Sequence, residues 1–160
     1  MRTLKIIVLF LGRLFISSFF ILSAINKIID WQNTERGFVS LLCDWHGYLS
    51  HSPFLQSLFS TIMSFVPFIL VLVTAIELVG GVLILIGVKP RLGAFLLIIF
   101  LIPITILFHQ FWFVEGHVRE MAHVMFLKNL SILGGLFFIL VFGGKIEKPS
   151  TDEIQIDETI

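Results

Sequence analysis

Two long apolar runs joined by a short basic turn dominate the middle of this sequence: residues 65–113 read FVPFILVLVTAIELVGGVLILIGVKPRLGAFLLIIFLIPITILFHQFWF. Each run holds roughly 20 residues, enough for a helix to cross a hydrocarbon core of about 30 Å. A strand alone in lipid could not satisfy its backbone hydrogen bonds, so both runs are predicted as helices. The stretch therefore predicts a membrane-spanning hairpin that turns at Gly87-Val88-Lys89-Pro90-Arg91.

The whole chain shares this composition. Of its 160 residues 57% are hydrophobic and 14% are charged, and the mean hydropathy is +1.01. An ordinary soluble domain has about 45–50% apolar residues, so we predict an integral membrane protein. Lys and Arg total 11, as do Asp and Glu, which argues against a basic nucleic-acid-binding protein. The single Cys43 allows no intrachain disulfide.

Four apolar runs predict the fold class: an all-α, integral membrane four-helix bundle. The predicted spans are residues 4–25, 65–88, 92–113 and 122–142, within a transmembrane domain of residues 1–148. Residues 149–160 carry four acidic residues and no apolar period, so we predict a disordered acidic tail. A cleavable signal peptide is the alternative for the first run, but the run is too long and Arg13 interrupts it.

A long connection separates the first and second spans, and it contains two apolar stripes at helical spacing. The stripes are Phe38, Leu41, Leu42 and Trp45, and then Phe54, Leu55, Leu58, Phe59 and Ile62. Such stripes predict amphipathic helices that lie on the membrane or pack over the mouth of the bundle. The second stripe has another interpretation, as the first turns of the second span bent at Pro67.

The basic residues predict the orientation. One side of the membrane would receive Arg2, Lys5, Lys89, Arg91, Lys145 and Lys148, and the other Lys27, Arg36 and Arg119. The positive-inside tendency then places both termini in the cytoplasm and the long connection outside. The predicted location is a bacterial inner membrane.

Ionisable residues inside the spans predict a polar cavity within the membrane that could bind a ligand. A charge at mid-membrane costs at least about 2.5–3.5 kcal/mol unless it is paired or faces such a cavity. The predicted cavity is lined by Arg13, Glu77, His109, Lys128 and Asn129. Counted from the outer ends of their spans, Arg13 and Glu77 share a depth of roughly 18 Å. We therefore predict that Arg13 and Glu77 form an ion pair.

Four supporting residues are polar neighbours on the same helical faces: Ser17, Thr74, Thr105 and Ser131. A fifth, Lys27, lies just past the outer end of the first span. The alternative for all these groups is a purely structural role, in which buried polar contacts hold helices together and glycines such as Gly80 and Gly134 let backbones approach. Lys128 has a further alternative, since its side chain could extend to the outer headgroups.

The sequence gives little support for metal binding, nucleotide binding or nucleophilic catalysis. The histidines of the outer side lack metal-ligand spacing, so no metal site is predicted. No phosphate loop, dinucleotide fingerprint or nucleophile elbow is present, and no cofactor motif is evident. Any redox electrons would therefore have to come from a partner protein.

Several blocks spread over the four spans carry a family resemblance. They are Gly12-Arg13-Leu14 with Asn26-Lys27, Glu77-Leu78-Val79-Gly80-Gly81 leading through Leu85-Ile86-Gly87 to Arg91-Leu92-Gly93-Ala94, His109-Gln110-Phe111-Trp112, and Lys128-Asn129-Leu130 with Leu133-Gly134-Gly135. In these blocks the chain resembles the DoxX family of small four-helix bacterial membrane proteins. The resemblance implies a subunit or partner of a membrane oxidoreductase system, such as thiosulfate:quinone oxidoreductase.

Two functional hypotheses follow. In the first, the chain is a membrane subunit or partner of an oxidoreductase and binds a quinone or another small amphipathic ligand in the polar cavity. In the second, it is a non-catalytic assembly or stress-response partner whose buried charges hold the helices in register. A transporter of a small acid is a weaker third option, because no inverted repeat is visible.

Overall fold

The computed structural model describes residues 2–49 and 51–143. Within these ranges the chain forms six α-helices and no strand. The helices are α1 Arg2–Ile29, α2 Trp31–Tyr48, α3 Pro53–Ser64, α4 Val66–Ile86, α5 Pro90–Phe108 and α6 Gly116–Phe142. The predicted acidic tail lies outside the described residues, as do Lys145 and Lys148.

Four of these helices, α1, α4, α5 and α6, are long and apolar enough to cross a membrane. The all-α membrane bundle is therefore confirmed. The helix bounds differ from the predicted spans: α1 continues to Ile29, α5 ends at Phe108, and α6 begins at Gly116. Hydropathy locates lipid-compatible residues, whereas a helix ends where its backbone hydrogen bonding ends. Aromatic residues 111–113 are thus apolar without being helical, and the polar start of α6 is helical without being apolar.

Prolines and one glycine explain several helix ends. Pro53, Pro67 and Pro90 stand in the first turns of α3, α4 and α5, where a missing backbone N–H leaves no intrahelical bond unmade. Phe65 separates α3 from α4, so the second apolar stripe forms a helix of its own rather than the first turns of the span. Gly87 ends α4 in the left-handed conformation with φ 76°.

The four spanning helices pack in the order α1, α4, α5, α6, with each helix against the next. A central core joins them: Phe20, Ile84, Ala94, Leu97, Ile98, Phe100, Leu101, Leu133 and Leu136. The two outermost helices, α1 and α6, approach at Ile16 and Gly135 but do not pack along their lengths as the neighbouring pairs do. The α1–α6 interface is therefore the loosest of the four around the bundle.

Glycines allow close approach at two of these interfaces. A Cβ on Gly93 would lie 2.7 Å from the carbonyl oxygen of Gly80, so α4 and α5 meet backbone to backbone. A Cβ on Gly81 would lie 2.9 Å from Cγ1 of Ile21, so α1 also packs tightly on α4. Gly134, by contrast, has nothing within 4 Å of such a Cβ. The close-packing role predicted for glycines thus applies to Gly80 and Gly81 and not to Gly134.

Helices α2 and α3 cover one end of the bundle, here called the capped end. Phe38, Leu42, Trp45, Phe59 and Val66 form a second buried cluster there. The indole Nε1 of Trp45 donates a hydrogen bond to the carbonyl oxygen of Leu107 at 3.0 Å, which ties α2 to the last turn of α5. The amphipathic helices predicted in the long connection are confirmed, although only the first stripe is largely buried.

Candidate functional site

A buried ion pair between α1 and α4 lies at the centre of the candidate site. Nζ of Lys27 donates to Oε2 of Glu77 at 2.5 Å and to Oγ of Ser23 at 2.8 Å. The Glu77 side chain is 2% exposed and that of Lys27 is 21% exposed. The ammonium also lies 5.7 Å from the ring centroid of Phe100 on α5. Three spanning helices therefore contribute to one polar contact.

Local helix geometry brings these groups together. Lys27 is in the last turn of α1, and Ser23 lies one turn before it on the same face. Glu77 lies near the middle of α4, one turn before Gly81. Because Gly81 lets α1 approach closely at Ile21, the long Lys27 side chain can reach the Glu77 carboxylate.

The predicted Arg13–Glu77 pair is wrong. Arg13 is directed to the opposite end of α4, where a Cβ on Gly87 would collide with its Nη1. The predicted depth was counted from residue 25, but α1 continues to Ile29. Arg13 is therefore 16 residues from the capped end of α1, whereas Glu77 is 11 from that of α4. The difference is roughly 7.5 Å along the helices, and it puts Lys27 rather than Arg13 within reach.

A second polar contact joins α5 to α6. Nδ2 of Asn129 donates to Oγ1 of Thr105 at 3.1 Å, and that hydroxyl donates to the carbonyl oxygen of Leu101 at 2.6 Å. Thr105 is 3% exposed and Asn129 is 5% exposed. This contact is neutral and enclosed, so its geometry is that of a packing contact.

His109 lies at the capped end of α5, and Lys128 lies near the middle of α6. His109 ends α5 and is half-buried; its burial, and secondly the positive charge of Lys128, lower the pKa of His109 below its usual range. Lys128 is exposed, and its Nζ lies 5.5 Å from the ring centroid of Phe19 on α1. Lys128 therefore extends from α6 to α1.

Some buried polar atoms have no hydrogen-bond partner within the described part of the chain, among them Oγ of Ser17, Oγ1 of Thr74 and Oε1 of Gln110. Thr74 lies one turn from Glu77 on α4, and Ser17 lies on the α1 face that meets Gly81. Ser131 is different: it is exposed, and its hydroxyl bonds to the carbonyl oxygen of Leu127 at 3.0 Å. Ser131 thus does not join the predicted cavity.

An open groove of about 650 Å³ runs along the end of α1 and the start of α2. It is lined by Phe19, Leu22, Ser23, Asn26, Lys27, Ile29, Asp30 and Thr34. Lys27 and Ser23, which hold Glu77, thus form part of the groove wall. Among the described residues no group of three or more His, Cys, Asp and Glu side chains could hold a metal ion.

Comparison with known families identifies the chain. The DoxX family model matches residues 8–110. This protein belongs to the DoxX family. No curated protein and no solved structure matches the chain. The matched region includes Lys27, Glu77 and the residues of the groove, whereas Lys128, Asn129 and Ser131 lie beyond it.

Within this DoxX protein the sequence prediction located Glu77 but paired it with the wrong cation. It named Lys27 as a supporting residue and did not include Ser23 or Phe100. Ser23 carries a signal that could have been used, because it lies four residues before Lys27 on the same face. Phe100 carries none, since one phenylalanine among 18 is not distinctive in such a chain.

Proposed function

We propose that this DoxX protein binds a small amphipathic ligand, of which a quinone is our leading candidate, in the groove beside the Lys27–Glu77 pair. In this proposal it is the membrane subunit or partner of an oxidoreductase system in a bacterial inner membrane. Both termini would lie in the cytoplasm, in keeping with the excess of basic residues that the sequence predicts on that side. The groove would then open toward the outer face.

The observation that carries the proposal is the position of Lys27. Its ammonium has three N–H donors, and Glu77 and Ser23 accept two of them. Its side chain is 21% exposed and forms part of the groove wall. A third donor at the edge of this groove suits an acceptor such as a ligand carbonyl oxygen.

The charges around the groove favour a neutral head group. Lys27 is balanced by Glu77, so the ion pair adds no net charge to the groove wall. An added full charge would disturb this balance in a medium of low dielectric. Phe19, Leu22 and Ile29 provide apolar wall for a hydrocarbon tail. A quinone combines neutral carbonyl oxygens with such a tail.

Binding of decylubiquinone tests the proposal directly. The protein in lipid nanodiscs is expected to gain thermal stability with added decylubiquinone, by mass action on the folded state. The double variant Lys27→Met with Glu77→Gln removes the ion pair without leaving a lone buried charge, and it should weaken binding by at least about tenfold, or 1.4 kcal/mol. Thr105→Val is the matched control on the enclosed contact and should bind as the wild type does. Wild-type protein that does not bind, or a double variant that binds equally well, would refute the proposal.

A packing role for the same ion pair is the second candidate, favoured by the near-complete burial of Glu77. Exchange of the two charges, Lys27→Glu with Glu77→Lys, distinguishes the candidates. A packing pair should regain stability and function on exchange, because the contact is restored with its direction reversed. Ligand binding should stay lost, because the groove wall would then present a carboxylate instead of an ammonium.

A further inference from the structure

Helix α3 has three faces, each with its own surroundings. Leu55, Phe59 and Ile62 face the protein, with Phe59 and Ile62 in the buried cluster of the cap. Ser57, Ser60 and Ser64 form an exposed polar face nearly opposite. Between these two faces runs an exposed apolar one, made of Phe54, Leu58 and Thr61 and continued by Phe65 just after the helix. Its phenylalanines are 76% and 54% exposed, and Leu58 is 44% exposed.

We propose that this third face is embedded in the lipid leaflet at the capped end, so that α3 is an interfacial membrane helix. The occupant of the face is acyl chain, at a depth of about 5–10 Å where such helices lie. This inference concerns a helix too short to span, and it does not depend on the groove or its ligand.

Continuity with the spanning surface supports the proposal. Phe65 is the one residue between α3 and α4, and the exposed Phe68 and Leu72 follow in the span itself. Because α4 is a spanning helix, its exposed apolar side faces lipid. The apolar face of α3 extends this surface without a break in the chain, so the same leaflet is the nearest partner for it.

The polar groups of α3 fit this placement. Thr61 is the polar member of the apolar face, and its hydroxyl donates to the carbonyl oxygen of Ser57 at 2.9 Å, so it needs no water. Ser60 bonds in the same way to the carbonyl oxygen of Gln56. The helix carries no charged residue, so embedding it buries no ion. Its serine face is left to meet the aqueous side.

Two single-cysteine variants test this inference. In a Cys43→Ser background, Leu58→Cys reports the apolar face and Ser60→Cys reports the serine face; both positions are exposed in the protein. The variants are placed in vesicles of phosphatidylethanolamine and phosphatidylglycerol at low protein density. A membrane-impermeant maleimide should label Leu58→Cys at least about tenfold more slowly, because lipid shields that face. Both sites should label equally in SDS, which controls for intrinsic reactivity.

Spin labels at the same sites provide a second measurement. A nitroxide on Leu58→Cys should collide more with oxygen than with a water-soluble nickel chelate, and one on Ser60→Cys should show the reverse. Equal labelling rates, or equal collision ratios, would overturn the proposal. Spin–spin broadening at Leu58→Cys that persists on dilution with lipid would overturn it too, because a second copy of the chain would then cover the face.

Discussion

The α1–α4 and α5–α6 interfaces each bury a polar contact between spanning helices, yet the two contacts differ in charge and access. Lys27–Glu77 is ionic and lies beside an open groove, whereas Thr105–Asn129 is neutral and enclosed. A neutral amide and hydroxyl can satisfy each other at little cost. A buried carboxylate depends on its cation, so the first interface is both the more fragile and the more suited to a ligand.

The largest expected effect comes from removing one member of the ion pair. Lys27→Met leaves the Glu77 carboxylate buried and unbalanced, so we expect the free energy of unfolding to fall by about 3 kcal/mol. The double variant Lys27→Met with Glu77→Gln should recover much of this loss. Unfolding in mixed micelles measures both. A single variant as stable as the wild type would show that Glu77 tolerates the loss of its cation, and so would contradict the greater fragility of this interface.

A smaller loss is expected from crowding the α1–α4 interface. Gly81→Ala would place a Cβ 2.9 Å from Cγ1 of Ile21, and over-packing of this kind costs about 1–3 kcal/mol. Gly134→Ala is the matched control, since a Cβ there meets nothing within 4 Å. The temperature of thermal unfolding should be clearly lower for Gly81→Ala than for Gly134→Ala. Equal stabilities would mean that α1 can move away from α4 without penalty.

Removing the neutral Thr105–Asn129 contact should reduce stability by less than either of these changes. Asn129→Leu removes its donor, and hydrogen bonds between spanning helices contribute on average about 0.6 kcal/mol. We therefore expect a loss well below that of Lys27→Met, with ligand binding unchanged. The same unfolding measurement checks the first point, and decylubiquinone titration checks the second. A loss as large as that of Lys27→Met would remove the energetic contrast between the interfaces.

The smallest effect concerns pH at the capped end. Burial and Lys128 lower the pKa of His109 in the folded protein, so the unfolded state binds its proton more readily. His109 should therefore reduce stability as the pH falls through about 6.5, toward the lower pKa of the folded state. His109→Gln should flatten this part of the stability profile. Thermal unfolding from about pH 5 to pH 8, compared between the two proteins, would reveal the difference.

Much of the fold was predictable from local features. Runs of apolar residues identified four spans, and helical spacing in the long connection identified α2 and α3. The depth of the site was not predictable to within one helical turn, because the end of α1 at Ile29 depends on backbone hydrogen bonding rather than on hydropathy. An error of this size was enough for the prediction to pair Glu77 with Arg13 instead of Lys27.

The sequence by itself determined that this chain spans a membrane with four helices and that Glu77 needs a cation, because lipid excludes isolated strands and lone charges. Tertiary structure decided which cation it is. Close packing of α1 on α4 at Gly81 holds the two helices in one register, in which Lys27 lies beside Glu77 and Arg13 lies beside Gly87. Packing also decided that the stripe of α2 is largely buried and that of α3 only partly, since spacing alone treats α2 and α3 alike.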